Sequence, residues 1–223
     1  MPEKYKCSRL RLAAGFAILA VLTAVLPLAG SDDVVEYYWS RAASVLHSRD
    51  LLESGVSYSF IAESIYKRIN KRGEITSADS LKAEYFFSWG KLDSSKIIEG
   101  DGRRFKNLDL TFPNVFKSDY INCFYPNDTG GTELAIGFDT DSLNDPRPVG
   151  LVLIDRHRYV PLWMYLYYPQ KKSYDRFSRS FRFTEYEGYV FADSVWEVGK
   201  KQGIFTSEHY RLETGVSDMK IYR

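Results

Sequence analysis

The chain has 223 residues, 44% of them hydrophobic, 26% charged and 16% aromatic, with a formal net charge of +1. That length and composition suit one globular domain with an appendage. A balance this close to neutral carries no electrostatic footprint for a polyanion, so no nucleic-acid partner is expected. Two cysteines, Cys7 and Cys123, supply no disulfide framework, CxxC pair or zinc spacing.

Residues 1–30 read as a signal peptide. Lys4, Lys6, Arg9 and Arg11 form a basic start, Leu12 to Leu26 is an uncharged apolar run, and Pro27 breaks it before small residues. The run is shorter than the roughly 20 residues of a comfortable membrane span. The expected fate is cleavage near Ala29 or Gly30, leaving an exported, periplasmic protein; uncleaved, the segment would be an inner-membrane anchor. Leu28-Ala29-Gly30-Ser31 resembles a bacterial lipoprotein box with serine in place of the cysteine that lipid attachment requires. That points to bacterial export without lipidation.

Asp32 to Ser54 is predicted to be an amphipathic helix. Asp32 and Asp33 suit its positive end, and Val35, Tyr38, Ala42, Val45 and Leu46 form its apolar face. From Gly55 the period becomes two. Val56, Tyr58, Phe60 and Ala62 form one strand face, and Asn70-Lys71-Arg72-Gly73 turns the chain. Leu81, Ala83, Tyr85, Phe87 and Trp89 then line the return strand. Gly90 to Pro113 is less regular; Lys96 to Phe105 could hold a short strand, a turn at Gly100-Asp101-Gly102, and another strand. Tyr120–Tyr125 and Thr132–Phe138 form a further pair around a Pro126–Gly131 turn, with Leu134, Ile136 and Phe138 on one face. Cys123, between bulky neighbours, reads as a small buried apolar residue. Asp139 to Pro148 lacks the glycine and terminal glutamate of a calcium loop and reads as a solvated turn.

Val149 to Pro169 is predicted to be a hairpin reversing at Asp155-Arg156-His157-Arg158, with both arms apolar on both faces. One face needs a core and the other a cover or a guest. The register decides which of Leu162 and Trp163 meets the core. Later strands carry Phe177, Arg179, Phe181 and Phe183 on one face, return over Tyr189–Val198, turn at Gly199–Gly203 and finish over Ile204–Thr214.

These elements predict an α+β fold: a strongly curved antiparallel sheet of about nine to eleven strands, an open half-barrel, with an N-terminal helix packed on it. Residues 31–223 are expected to form one such domain. Its groove candidates are Tyr85, Phe87, Trp89, Leu151, Leu153, Trp163, Tyr165, Tyr167, Phe181 and Phe183. The alternative is an interior filled by larger side chains.

The order of elements resembles the lipoprotein-carrier and lipoprotein-sensor (LolA-like) superfamily of the bacterial envelope. The residues that carry the resemblance are Ile154, Asp155, Tyr159 and Pro161, with the early hairpin around Asn70 to Gly73. It covers most of residues 33–215 as a pattern of elements rather than a dense motif. It implies an unclosed barrel, a cavity for acyl chains, and a role in carrying or sensing lipoproteins or lipids. The carriers use several helices as a lid, whereas one convincing helix is legible here.

No G-x-S-x-G elbow, P-loop or dinucleotide fingerprint occurs. His47, His157 and His209 are far apart in sequence and read as surface residues, and no catalytic residue, metal site or cofactor is expected. The expected partner is a lipid or lipoprotein acyl chain. The alternatives are an envelope protein held by the same sheet and a hydrolase acting on lipid or glycan.

Overall fold

The computed structural model describes residues 31–105, 111, 113, 115–117, 119–124, 131–142, 145–202 and 207–222. The expected signal peptide at 1–30, most of the turn expected at 126–131 and the Cys123 side chain lie outside the described residues. Two compact units make up the chain, Met1–Val45 with Asn114–Gln170 and Leu46–Pro113 with Lys171–Arg223. The fold is α+β, as expected, with one helix and ten strands paired antiparallel among the described residues.

Helix α1 spans Ser31–Arg49. Its buried positions are Val35, Trp39, Ala42 and Leu46, at steps of four, three and four. Trp39 at 5% exposure, rather than the expected Tyr38, supplies the buried ring. The helix also stops short of the predicted Ser54. Asp50 bridges to Val190, the Leu51 amide donates to the Val190 carbonyl at 3.2 Å, and Asp50 Oδ1 accepts from the Leu52 amide at 2.9 Å. These bonds draw the backbone out of the helical ladder.

The first unit holds four strands in the order of the chain: β4 (Ile121–Phe124), β5 (Glu133–Asp139), β6 (Val149–Asp155) and β7 (Pro161–Tyr167). Leu134, Ile136, Phe138, Val152, Ile154, Met164 and Leu166 are buried at 0–1% exposure. Trp39 of α1 packs on this face, its ring centroid 5.6 Å from Phe138 and 4.4 Å from Phe116. Burying each side chain of this size contributes about 1.5–3 kcal/mol.

The second unit is a six-stranded sheet. Its strands are β1 (Ser57–Ile69), β2 (Ile75–Ser88), β3 (Lys91–Gly100), β8 (Tyr174–Tyr186), β9 (Tyr189–Gln202) and β10 (Ser207–Tyr222), in the order β3-β2-β1-β10-β9-β8. Neither set of strands closes on itself among the described residues. One face of this sheet is lined by rings: Tyr58 stacks on Phe87 at 4.9 Å and Tyr66 on Tyr210 at 5.0 Å. Gly199, predicted in a turn, lies inside β9. Tyr210 stands opposite it, and a Cβ at Gly199 would come within 2.4 Å of that ring. After β3 the chain forms a 3-10 turn, Gly102–Phe105, where a second strand was expected; Phe105 turns into the core there.

β2 and β3 are joined by Trp89-Gly90, both at positive φ (54° and 72°), a type I′ reversal. The turn lifts Trp89 off the strand face on which the sequence placed it and leaves it 77% exposed. The loop after α1 lies against this turn: a Cβ on Gly90 would stand 1.9 Å from the Leu52 carbonyl oxygen. Gly90→Ala is therefore expected to lower stability by about 1–3 kcal/mol from backbone strain alone, and more if Leu52 must move, as read by urea unfolding.

The β6–β7 reversal is built on Asp155. Its Oδ1 accepts from the His157 and Arg158 amides at 2.9 and 2.8 Å, and its Oδ2 from Arg158 Nε at 3.0 Å. Burial alone would raise this carboxyl's pKa, but the Arg158 amide and guanidinium and the His157 amide more than offset it and hold it below the usual value. A carboxyl depressed on folding stabilises above its unfolded pKa of about 3.9 and loses that contribution as pH falls through the folded value. Asp155→Asn, which keeps the Oδ1 acceptor, should reduce the acid-side slope of unfolding free energy below about pH 4, measured by thermal melts against pH.

Candidate functional site

The ten expected groove residues fall into two groups. In the first unit, Leu151 pairs with Tyr165 and Leu153 with Trp163, with Tyr167 following on the same face. All five are half-buried and point away from the Trp39-covered core. Trp163 and Tyr165 stack at 6.2 Å with 9° between their planes. The register thus puts Trp163 on the open face, while Met164 and Leu166 fill the core.

In the second unit, Tyr85, Phe87, Phe181 and Phe183 are buried, at 9%, 6%, 0% and 6% exposure. Tyr85 and Phe87 belong to the same core cluster as Leu51, Tyr58, Phe60 and Tyr210. Trp89 stands at the exposed turn instead.

Inside the second unit is a cavity of about 30 Å³ between the Leu51–Leu52 loop and the sheet. Phe60, Phe87, Phe191, Val195, Val216 and Met219 complete its apolar wall, and Tyr58 joins them with its hydroxyl. One or two waters would fill this volume, whereas pockets for drug-sized ligands run to about 300–1,000 Å³. Tyr58 is 2% exposed, and its hydroxyl has no hydrogen-bond partner. Burial first, and the nearby Asp50 carboxylate second, push its pKa above the ordinary phenol value, so the group stays a neutral donor. An unpaired buried hydroxyl costs about 1–3 kcal/mol, which a ligand acceptor would recover.

Of these wall residues the sequence reading singled out Phe87 alone as a groove candidate. Leu51 and Leu52 were absorbed into the predicted helix. Tyr58 carried a signal in hindsight, a hydroxylated ring in line with Phe60 and Ala62 on an otherwise apolar strand face.

A second polar feature crosses the same sheet. Arg179, 5% exposed, pairs with Glu197 at 3.6 Å, and the Tyr210 hydroxyl donates to Glu197 Oε1 at 2.6 Å with Tyr174 Oη 3.2 Å away. Burial chiefly, with Glu197 adding to it, raises the Tyr210 pKa well above the usual phenol value. The group reads as a core network in which each charge faces its opposite. Among the described residues no three His, Cys, Asp or Glu side chains gather as a metal site. His47 and His157 are exposed, His47 lying 3.9 Å from Glu53. His209 on β10 is half-buried; burial first, then Arg211, Lys200 and Arg176, lowers its pKa and favours the neutral ring.

No protein-family model matches the chain, and no curated protein matches it. Among solved structures it is similar to an outer membrane lipoprotein-sorting protein domain from Vibrio parahaemolyticus, at 16% identity and TM-score 0.47, over 84% of this chain and 93% of that one. It is also similar to a LolA superfamily protein from Nitrosomonas europaea, at 10% identity and TM-score 0.37, over 87% and 95% of the two chains. The MucA/MucB complex of Pseudomonas aeruginosa aligns at 10% identity and TM-score 0.25, over 82% and 94%. At these identities and TM-scores, what the chain does has to come from its own residues.

Proposed function

We propose that this chain is a non-catalytic binding protein of the bacterial envelope that takes an acyl chain into the apolar interior of its second unit. The observation that carries the reading is the orphaned Tyr58 hydroxyl in the wall of an otherwise apolar cavity. An acyl ester or a fatty acid offers both an oily tail for the rings and a carbonyl acceptor for that phenol. The tail needs more room than about 30 Å³. Leu52 and Met219, both half-buried, are the side chains whose displacement would supply it. Met219 is unbranched and repacks readily. The leader at 1–30 and its basic start support an exported, periplasmic protein. The ring stripe Leu151, Leu153, Trp163, Tyr165 and Tyr167 is the further apolar surface in this reading.

A protein partner is the second reading, and β3 favours it. All ten of its residues are exposed, among the described residues it pairs only with β2, and Leu92, Ile97 and Ile98 are about half exposed. Such an edge can accept a strand from another chain. The register shifts at Lys82/Ala83 and Phe86/Phe87 and the charges Lys91, Asp93, Lys96 and Glu99 oppose indiscriminate pairing.

Two variants separate these readings in the full chain. Val216→Phe fills the cavity wall and should cut uptake of the fluorescent fatty acid cis-parinaric acid at least tenfold relative to wild type, at an unchanged melting temperature. Equal uptake by the two proteins would sink the cavity as the site. Tyr58→Phe removes an orphaned hydroxyl, so ligand-free stability should hold or rise by up to about 1 kcal/mol, while affinity for a parinaroyl ester falls. A clear loss of ligand-free stability would mean that the phenol is already satisfied.

A further inference from the structure

The first unit carries a surface cluster that the acyl-chain reading does not use. Tyr37 and Arg41 lie one turn apart on α1, and Tyr159 reaches them from the β6–β7 reversal. The two phenol oxygens are 3.2 Å apart, and their rings meet edge-to-face at 6.0 Å. The Arg41 guanidinium stands over both rings, 5.3 Å from Tyr37 and 6.0 Å from Tyr159. Tyr38 closes the side, 5.7 Å from Tyr159.

Three observations set this cluster apart from an ordinary surface contact. Arg41 is exposed and pairs with no carboxylate among the described residues, although ion pairs are common on this surface. By helix register the nearest acid on its face is Asp33, two turns away, roughly 12 Å along the axis; Arg158 on the reversal is already paired with Asp155. Tyr159 holds a left-handed backbone, φ 59°, at a hairpin position where glycine or asparagine is usual. A bulky residue kept there points to use of its side chain. Finally, Tyr37 is 46% exposed, so the cluster is open to solvent.

We propose that Arg41, Tyr37 and Tyr159 form a binding site for a phosphate group. The guanidinium offers a fork of N–H donors and the positive charge. The phenols add O–H donors from the opposite side, and the three together suit a tetrahedral oxyanion better than a planar carboxylate. The hydrogen bond with Tyr159 and then the hydrogen bond from Arg41 hold the Tyr37 phenol below its ordinary pKa, while the hydrogen bond with Tyr37 raises the Tyr159 phenol. Either phenol can donate across the pair, and the proton of the other is left for a ligand. The rings suit whatever organic group carries the phosphate, whether a lipid headgroup or a soluble ester.

The test follows the Arg41 Nε–H and the Tyr37 and Tyr159 ring signals of the full chain by NMR in phosphatidylcholine bicelles, which also accommodate the apolar leader. Inorganic phosphate should shift all three signals saturably with a dissociation constant in the millimolar range, and acetate should not. Adding phosphatidylglycerol to the bicelles should shift the same signals if the source is a lipid headgroup; a response to inorganic phosphate alone assigns a soluble source. Arg41→Gln should weaken binding at least tenfold and Arg41→Lys less. Tyr159→Gly should raise the melting temperature by relieving the backbone while weakening phosphate binding. Absence of saturable shifts with both phosphate and phosphatidylglycerol, an equal response to acetate, or unchanged affinity in Arg41→Gln overturns the proposal. None of these results bears on fatty-acid uptake by the second unit, so the two readings fail separately.

Discussion

Where the helix stops decides what the second unit can hold. Asp50 is 3% exposed, its amide still bonds to the Leu46 carbonyl at 2.7 Å, and one residue later the backbone is bonded to Val190. A helix continued to Ser54 would have carried Leu51 and Leu52 around its axis. The bridge instead lays both side chains over the sheet, against Tyr58, Phe60 and Phe87. A carboxylate buried this deeply is tolerable only while it is hydrogen-bonded, and its bond to the Leu52 amide ties the charge to the loop it positions. The cavity is the space left when a short loop, rather than a helical turn, covers a face of rings.

The same face shows why this interior is not a plain hydrocarbon core. Ser64 and Thr214 share a hydrogen bond at 2.9 Å, and the Arg179–Glu197–Tyr210 group lies further along. A buried ion pair adds little net stability, because desolvating the charges offsets their attraction. It does fix register, since a one-residue slip of β8 would put Arg179 on the opposite face and strand Glu197. The apolar stretch near Leu51 carries no such network. Among the cavity's wall residues the Tyr58 hydroxyl lies unmatched.

Regular alternation was legible from the sequence, and its interruptions were not. Leu81 to Phe87 alternates in the sequence and is buried in that rhythm, while in Tyr58 to Ala62, Leu134 to Phe138 and Phe177 to Phe183 the alternating residues are buried together with Ser59, Gly137 and Ser178 between them. Trp89 continued the rhythm on paper but fell at a two-residue reversal, which takes its conformation from Gly90 and from the neighbouring Leu52 carbonyl. Tyr38 and Trp39 are adjacent, and helical period alone could not choose between them; the packing of Phe116 and Phe138 chose the larger ring. Gly199 read as a turn because a glycine among lysines usually is one, whereas its role is to make room for Tyr210, eleven residues on, across the sheet. The ten groove candidates stand on apolar strand faces, and alternation cannot tell a face that meets the core from one that meets a guest.

Backbone outliers help to sort these features. Among the described residues five non-glycine residues have positive φ: Trp89, Tyr159, Ser173, Glu187 and Asp218. Trp89 and Glu187 are each followed by a glycine also at positive φ and joined to a two-residue hairpin, Ser88 pairing with Lys91 and Tyr186 with Tyr189. The type I′ turn demands that conformation of whatever residue stands first, so neither calls for a role. Asp218 lies in the part of β10 where β1 loses its register between Ser59 and Ile61. Tyr159 is different: no glycine shares its reversal, the turn is already closed by Asp155, and its ring is met by a tyrosine and an arginine from a helix 122 residues away in sequence. Local geometry would be served as well by a smaller residue, which leaves the ring itself as the reason for the strain.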